Sequence, residues 1–363
     1  MPAQFQNLRI LIVRLGAMGD ILHALPAVTA LRTVLDTTLP GSWIGWAIEP
    51  QWIPLVCANF RSHRSAHGPQ MPVVDGVHPV KAKRWAHHPF STSTVIGIRD
   101  LRRALRARRY DICIDLQGAI RSALIGRMAQ APRMIGEAHP RESISRWLFR
   151  ERIETTGVHV VEQALEVVNA VFKNDLPYHA PALPIDPATE TWCDQWLAKR
   201  EIERFVLVNP GAGWGAKRWP AERYAAVAAE LAQMGYATVV NVGPGEARLA
   251  EIVCANNNAR CFMMRGSIQQ LIACTRRAGL FVGGDTGPLH LAAALKIPVV
   301  GIYGPTDPAR NGPYGTCNRV LRHPASRRDH SRKREPEAGL LTITARDVLE
   351  AAEQLLQEQA ETR

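Results

Sequence analysis

The stretch Phe281-Val282-Gly283-Gly284-Asp285-Thr286-Gly287-Pro288-Leu289-His290-Leu291-Ala292-Ala293-Ala294 runs from an apolar strand through a Gly-Asp-Thr-Gly turn into an alanine-rich helix. Such a junction suits a phosphate. Glycine lets backbone N–H groups approach an anion, Thr286 adds a hydroxyl donor, and the helix start carries positive partial charge. An ordinary βα turn of an open sheet has the same ingredients, so the rest of the chain must decide. A second strand, Arg9-Ile10-Leu11-Ile12-Val13, turns through Arg14-Leu15-Gly16-Ala17-Met18-Gly19-Asp20 into a helix beginning Ile21-Leu22. A third, Phe205-Val206-Leu207-Val208, enters Asn209-Pro210-Gly211-Ala212-Gly213-Trp214-Gly215-Ala216-Lys217-Arg218-Trp219-Pro220, and a helix follows. All three polar loops follow strand C-termini, the edge where open parallel sheets bind ligands. One lies near the chain start and two in the second half, which predicts two nucleotide-type domains facing each other across a cleft.

The intervening sequence supports an α/β reading. Strands are predicted at 9–13, 43–48, 111–115, 205–208, 237–242, 279–283 and 298–302. Between them lie helices at about 20–35, 99–109, from about 119, 188–200, 221–235, 246–255, 267–277 and 288–295. This alternation predicts parallel sheets covered by helices. Pro26 is expected to kink the first helix or to end a short first turn. The run from Lys173 to Pro187 holds Pro177, Pro181, Pro184 and Pro187 without periodicity and reads as a linker. The expected organisation is a first domain over 1–175, a linker over 176–187, a second domain over 188–342, and a terminal amphipathic helix in 343–363 that packs back through Val348, Leu349, Ala352, Leu355 and Leu356.

At 363 residues the chain can build two cores. No apolar run reaches the ~20 residues of a bilayer span, and residues 1–7 lack a signal-peptide core, so a cytoplasmic protein is expected. The seven cysteines, Cys57, Cys113, Cys193, Cys254, Cys261, Cys274 and Cys317, form no C-x-x-C pair and are expected to be reduced and mostly buried. The formal charge of +11 is uneven: residues 1–175 hold 22 Lys and Arg against 14 Asp and Glu. The first half is therefore the candidate partner of something acidic. Neither interleaved aromatics nor a reading motif points to nucleic acid. Residues 60–94, with His63, His67, His78, His87 and His88, lack metal-ligand spacing and read as loop. Residues 319–336, with Arg319, Arg322, Arg327, Arg328, Arg332, Lys333 and Arg334, read as a basic loop or an anion-facing surface.

The run Arg14-Leu15-Gly16-Ala17-Met18-Gly19-Asp20-Ile21-Leu22-His23-Ala24-Leu25-Pro26-Ala27 resembles the amino-terminal signature of lipopolysaccharide heptosyltransferases, glycosyltransferase family nine. Asn209-Pro210-Gly211-Ala212 through Lys217-Arg218-Trp219-Pro220 is similar to one carboxyl-domain signature of that family. Asp285-Thr286-Gly287-Pro288-Leu289-His290 with Tyr303-Gly304-Pro305-Thr306-Asp307-Pro308 is similar to the other. The three occur in the family's order and span nearly the whole chain. The resemblance implies a GT-B architecture of two Rossmann-like domains, with the acceptor on the first and a nucleotide sugar on the second. Leu22-His23-Ala24-Leu25-Pro26-Ala27 is most similar to heptosyltransferase I. That subtype implies an ADP-heptose donor, a Kdo-lipid A acceptor, and peripheral contact with the cytoplasmic face of the inner membrane. Heptosyltransferase II, or another surface-glycan transferase of the family, is the alternative. A non-catalytic nucleotide-sugar-binding module is the alternative from a different class.

Inverting transfer needs a base for the acceptor hydroxyl. Asp20, at a helix start, reads either as a helix cap or as that base, and the resemblance implies the base. The departing diphosphate needs a waiting cation. Lys217 matches the family's lysine, with Arg218 the adjacent alternative. The resemblance places Asn209, Gly211 and Ala212 on the donor side. Asp285, an anion beside a diphosphate, is expected to bond loop amides or sugar hydroxyls or to help bind the heptose. Thr286, Gly287 and the amides after them, in the turn containing Pro288, are then the phosphate ligands, and His290 is a packed or supporting residue. Glu246 either holds the ribose hydroxyls, by analogy with dinucleotide folds, or caps a helix.

On the acceptor side the candidates are Gly19, the basic run Lys81, Lys83 and Arg84 beside Trp85, and the Asp115-Leu116-Gln117-Gly118 turn with Gln117 and Arg121. Arg99, Arg102, Arg103 and Arg106 form a positive stripe at helical spacing, either a solvated face or one attracted to a membrane surface. The sequence has no Asp-x-Asp clamp. No metal and no cofactor is therefore expected, and Lys217, helix dipoles and loop amides would take the place of an ion.

Overall fold

The computed structural model describes residues 7–58, 60, 68–172, 175–255, 260–329 and 334–361. The chain forms two compact units, Met1–Asp186 and Pro187–Arg363. The first contains strands β1 (Arg9–Val13), β2 (Trp43–Ile48), β3 (Gly76–Pro79), β4 (Ile112–Asp115), β5 (Arg133–Glu137) and β6 (Glu151–Ile153). The second contains β7 (Phe205–Asn209), β8 (Ala237–Asn241), β9 (Cys261–Met264), β10 (Leu280–Gly284), β11 (Val299–Tyr303) and β12 (Asn318–Arg322).

Each unit is built on a parallel six-stranded sheet. The strand orders are β3-β2-β1-β4-β5-β6 and β12-β11-β10-β7-β8-β9. The central strands are continuous apolar runs because helices cover both of their faces; Ile10 to Val13 and Val206 to Val208 are fully buried. Chain progression reverses direction between β1 and β4 and again between β7 and β10. In a doubly wound sheet such reversals open a crevice at the strand C-termini. The registers Val13↔Asp115 and Asn209↔Gly283 place the first-loop and Asp115 turns at one reversal, and the Asn209 and Asp285 turns at the other.

In the first unit, Leu11, Val13 and Cys113 pack under Leu101, Leu105, Ala123, Ile125 and Phe149. The Met18–Thr38 helix packs on Val160–Phe172. Pro26 neither ends nor shortens the first helix, which continues unbroken to Thr38. The missing Pro26 N–H costs one bond, and burial of twelve other side chains of this helix outweighs it. In the second unit the terminal Ala345–Glu361 helix buries Val348, Ala352, Leu355 and Leu356 in the core that also holds Val206, Val282 and Val300.

Several local expectations are corrected. Residues 60–94 contain β3 and the helix Ala82–His87, so the basic run at 81–84 is not in a loop. His78 is buried in β3 and bonds the Tyr110 hydroxyl at 2.6 Å; burial, then Arg108, lowers its pKa to about 4. His63 and His67 lie outside the described residues. Arg319 and Arg322 belong to β12, and Arg319 pairs with Glu358 on the terminal helix; Arg332 and Lys333 also lie outside the described residues. Cys254 and Cys261 are joined in a disulfide, against the expectation of seven free thiols. A helix end and a strand start bring their Cα atoms within 5.3 Å, inside bridging range.

Candidate active site

In the first unit the loop after β1 is held from several sides. The indole Nε1 of buried Trp46 donates to the Arg14 carbonyl at 3.0 Å. The Leu15 N–H donates to Gln117 Oε1 at 2.8 Å, and the Arg14 guanidinium donates to the Leu116 carbonyl. Gln117 is set in turn by Asp115, whose Oδ1 accepts from the amides of Gln117 and Gly118 at 2.7 and 2.9 Å. Gly118 closes this turn at φ 65°, where a side chain would be strained. Burial pushes the Asp115 carboxyl up to about 6, with the two amides acting against it.

Asp20 occupies the first turn of the Met18–Thr38 helix. Its Oδ2 accepts from the Ala17 amide at 3.0 Å, and its Oδ1 lies 3.1 Å from Arg14 Nη2. The cap therefore exists, as a side chain reaching back to the amide before the helix. The side chain is nevertheless 32% exposed, and a carboxylate offers about four acceptor positions. Capping and proton acceptance are compatible here.

Among the acceptor-side candidates, Gly19 is beside Asp20 in the same turn, and Gln117 braces the loop directly. Lys83 Nζ lies 3.6 Å from Glu49 Oε2. Glu49 is buried at the end of β2, and its amide donates to the Leu15 carbonyl at 3.0 Å, so the ion pair draws Lys83 toward the same loop. Lys81, Arg84 and Arg121 are exposed at the surface. Sequence reasoning missed Glu49 and the bracing role of Arg14; the signal for Glu49 was an acidic residue directly after an apolar strand.

In the second unit Asn209 ends β7. Its Nδ2 donates to the Gly211 carbonyl at 2.8 Å and to Thr286 Oγ1 at 3.4 Å, and its Oδ1 accepts from Asn241 at 2.7 Å. Asn241, at the end of β8, was not anticipated. Lys217 ends the short turn Gly215–Lys217, and its Nζ lies 2.6 Å from Asp285 Oδ2, 3.4 Å from the Asp285 carbonyl and 4.6 Å from the Trp214 ring centroid. His290 Nε2 is 3.1 Å from Asp285 Oδ1. Asp285 thus spends its oxygens on Lys217 and His290 rather than on loop amides. Burial would raise its carboxyl, but the His290 bond and the Lys217 charge outweigh burial and hold it far below the usual range.

Thr286 precedes the Gly287–Ala294 helix, with Gly287 and Pro288 as its first two residues. The first-turn Gly287 amide has no partner within the helix, and Pro288 has no N–H to satisfy. Arg218 donates from Nε to the Ala212 carbonyl at 3.1 Å, which leaves Lys217 as the cation on Asp285. Glu246 does not cap its own helix: its carboxylate accepts from the Gly243 amide at 3.0 Å and lies against Gly211, where a Cβ would meet it at 2.0 Å.

A family model described as glycosyltransferase family 9 (heptosyltransferase) matches residues 98–340. The chain belongs to this family. Family 9 membership makes it a glycosyltransferase, and the resemblance seen in its three motifs extends over nearly the whole chain. Lipopolysaccharide heptosyltransferase 1 of Escherichia coli O18:K1:H7 is 29% identical over 323 residues, covering 88% of this chain and 93% of that protein. A solved structure of E. coli heptosyltransferase WaaC with ADP superposes with a TM-score of 0.77 at 26% identity, covering 96% of this chain and all of the other. The same enzyme with ADP-2-deoxy-2-fluoro heptose gives 0.74 at 25% identity, covering 97% of this chain and 100% of the other. The two doubly wound units are those of the GT-B heptosyltransferases.

Proposed function

We propose that this family 9 enzyme transfers heptose from ADP-heptose to a Kdo residue of the lipid A inner core, as heptosyltransferase I. Transfer inverts the anomeric carbon in a single displacement. The acceptor hydroxyl gives its proton to Asp20 as its oxygen bonds to the anomeric carbon. The bond from that carbon to the β-phosphate oxygen breaks on the opposite side, and ADP leaves with the electron pair. Arg14 orients Asp20, and the bracing by Gln117 and Trp46 keeps the loop from drifting.

The observation that carries this reading is the Lys217–Asp285–His290 cluster at the start of the Gly287–Ala294 helix. Lysine has three donors, and Asp285 takes two of them through its carboxylate and carbonyl oxygens. A third proton remains for a phosphate oxygen, beside helix-start amides that favour the same charge. Asp285 is then the holder of the cation rather than a phosphate ligand, which explains a carboxylate at such a site. Charge on the leaving diphosphate is met by Lys217, the helix start and loop amides, without a metal ion. Asn209, Gly211, Ala212 and Thr286 shape the donor loops, and Glu246 faces the ribose hydroxyls. A lipid-linked acceptor implies peripheral contact with the inner membrane from the cytoplasmic side.

The test is incubation of the enzyme with ADP-L-glycero-D-manno-heptose and Kdo-lipid A in the presence of chelator, following ADP release and product mass. Heptosylated product from wild type, and none from Asp20→Ala that still binds ADP, is the expected outcome. Product only on an already heptosylated core would assign the chain to heptosyltransferase II, and no product on any Kdo acceptor would refute the proposal.

A further inference from the structure

The positive charge of the first unit is concentrated in one segment: residues 81–154 hold 16 Lys and Arg against 7 Asp and Glu. Within it, the Thr92–Ala107 helix buries Thr94, Leu101 and Leu105 and turns a different face outward. Val95, Arg99, Arg102 and Arg106 follow one another at i, i+4, i+7 and i+11, with Ile96 and Arg103 beside them. Arg99, Arg102 and Arg103 are exposed. Apolar groups are exposed as well, toward the amino-terminal end of the helix: Phe90, two residues before it, is 96% exposed, Val95 58% and Ile96 43%. Asp100 is the acidic residue within this helix, and it lies 3.6 Å from Arg99.

A second apolar point lies on the same unit. The Ile120–Met128 helix packs on the Thr92–Ala107 helix and also on the Ser143–Leu148 turn. That turn exposes Trp147 to 71%, with the Arg146 and Arg152 guanidinium groups 5.5 and 5.1 Å from its ring centroids.

We infer that this outward face, the Thr92–Ala107 helix with Phe90 and with Trp147 as a second foothold, docks the enzyme on an anionic lipid bilayer. A merely solvated helix needs no apolar residues at its exposed end, and a nucleic-acid groove is served by the arginines alone. Aromatic and aliphatic tips beside arginines match the boundary between acyl chains and charged headgroups. Arginines supply attraction of roughly 1 kcal/mol each near an anionic surface, and the apolar tips supply insertion. The inference takes its purpose from the lipid-linked acceptor proposed above, but its test contains no transfer step.

The full chain is sedimented with phosphatidylcholine vesicles, with and without phosphatidylglycerol. The expected result is binding only to the anionic vesicles, weakening as salt rises. Arg99→Ala/Arg102→Ala/Arg103→Ala should weaken it on the order of 100-fold. Phe90→Ser/Ile96→Ser should weaken it about tenfold, while Arg346→Ala, at an exposed arginine of the second unit, leaves it unchanged. Equal binding by all variants, no binding by wild type, or displacement from the vesicles by a short duplex DNA at matched charge would overturn the inference. If vesicle binding behaves as expected but no heptose is transferred, the docking face stands and the substrate assignment falls.

Discussion

Lys217 Nζ stands 2.6 Å from Asp285 Oδ2, and both side chains are largely buried. The other oxygen of the carboxylate is engaged by His290 at 3.1 Å, so a single aspartate ties a short loop turn to a helix start. Replacing Lys217 with Met leaves the carboxylate buried with His290 alone. Removing one partner of a buried pair costs about 3–5 kcal/mol, whereas Lys217→Met/Asp285→Asn, which removes both charges, should lose less than the single change. Urea unfolding of the three proteins checks this. The folded Asp285 carboxyl is depressed, so its stabilisation is present above the ordinary Asp range near 4 and disappears as pH falls below it. Lys217→Met should therefore unfold at a higher pH on acid titration. Its kcat should drop by about 10²–10³.

Asp20→Asn separates capping from catalysis. The amide oxygen of Asn can still accept from the Ala17 N–H that Asp20 now binds at 3.0 Å, while the pair with Arg14 at 3.1 Å is lost, so the melting temperature should fall by only a few degrees, for a change of about 1 kcal/mol. An amide cannot take the acceptor proton, and turnover should fall by about 10²–10⁴ while ADP affinity is retained. Turnover near wild type would leave Asp20 as a cap only.

The motif loops were legible in sequence because glycine and proline mark turns, and continuous apolar runs mark strands buried on both faces. The weaker strands were not. Gly76–Pro79 and Glu151–Ile153 lie at a sheet edge and contain His, Pro, Glu and Arg, so neither apolar continuity nor alternation marks them. The Asp285 bonds were misjudged because its partners Lys217 and His290 lie 68 positions before it and five after, and only the parallel pairing of β7 with β10 brings Lys217 across. Glu49, Asn241 and the bracing role of Arg14 were missed for the same reason. Each is one polar residue at a strand end whose meaning depends on which strand lies alongside.

Asp115→Asn should change stability with a definite pH sign. The folded carboxyl is raised to about 6 by burial, so the folded state holds its proton more tightly than the unfolded chain. Its contribution is most favourable below the unfolded value near 4 and is lost as pH rises through 6, an effect of about 3 kcal/mol. Asn keeps an acceptor for the Gln117 and Gly118 amides and does not titrate. Asp115→Asn should gain on wild type between pH 4 and 7, read from denaturant unfolding at each pH; a constant difference would contradict the assignment.

Gly211→Ala probes the donor loop without touching a charge. The new methyl would lie 2.0 Å from the Glu246 carboxyl, but that carboxyl is the far end of a flexible side chain and can swing away. The fold should therefore lose little, about 0.5 kcal/mol, while Glu246 leaves the Gly243 amide it now accepts from at 3.0 Å. If Glu246 holds the ribose, Gly211→Ala and Glu246→Ala should each weaken ADP binding by about tenfold, one hydrogen bond to a charged group. The double variant should be no worse than either alone, because both remove the same contact. Calorimetric titration of the three variants with ADP decides it: additive losses would mean that Glu246 and Gly211 act on the nucleotide separately, and unchanged affinity in Glu246→Ala would remove the carboxylate from the donor site.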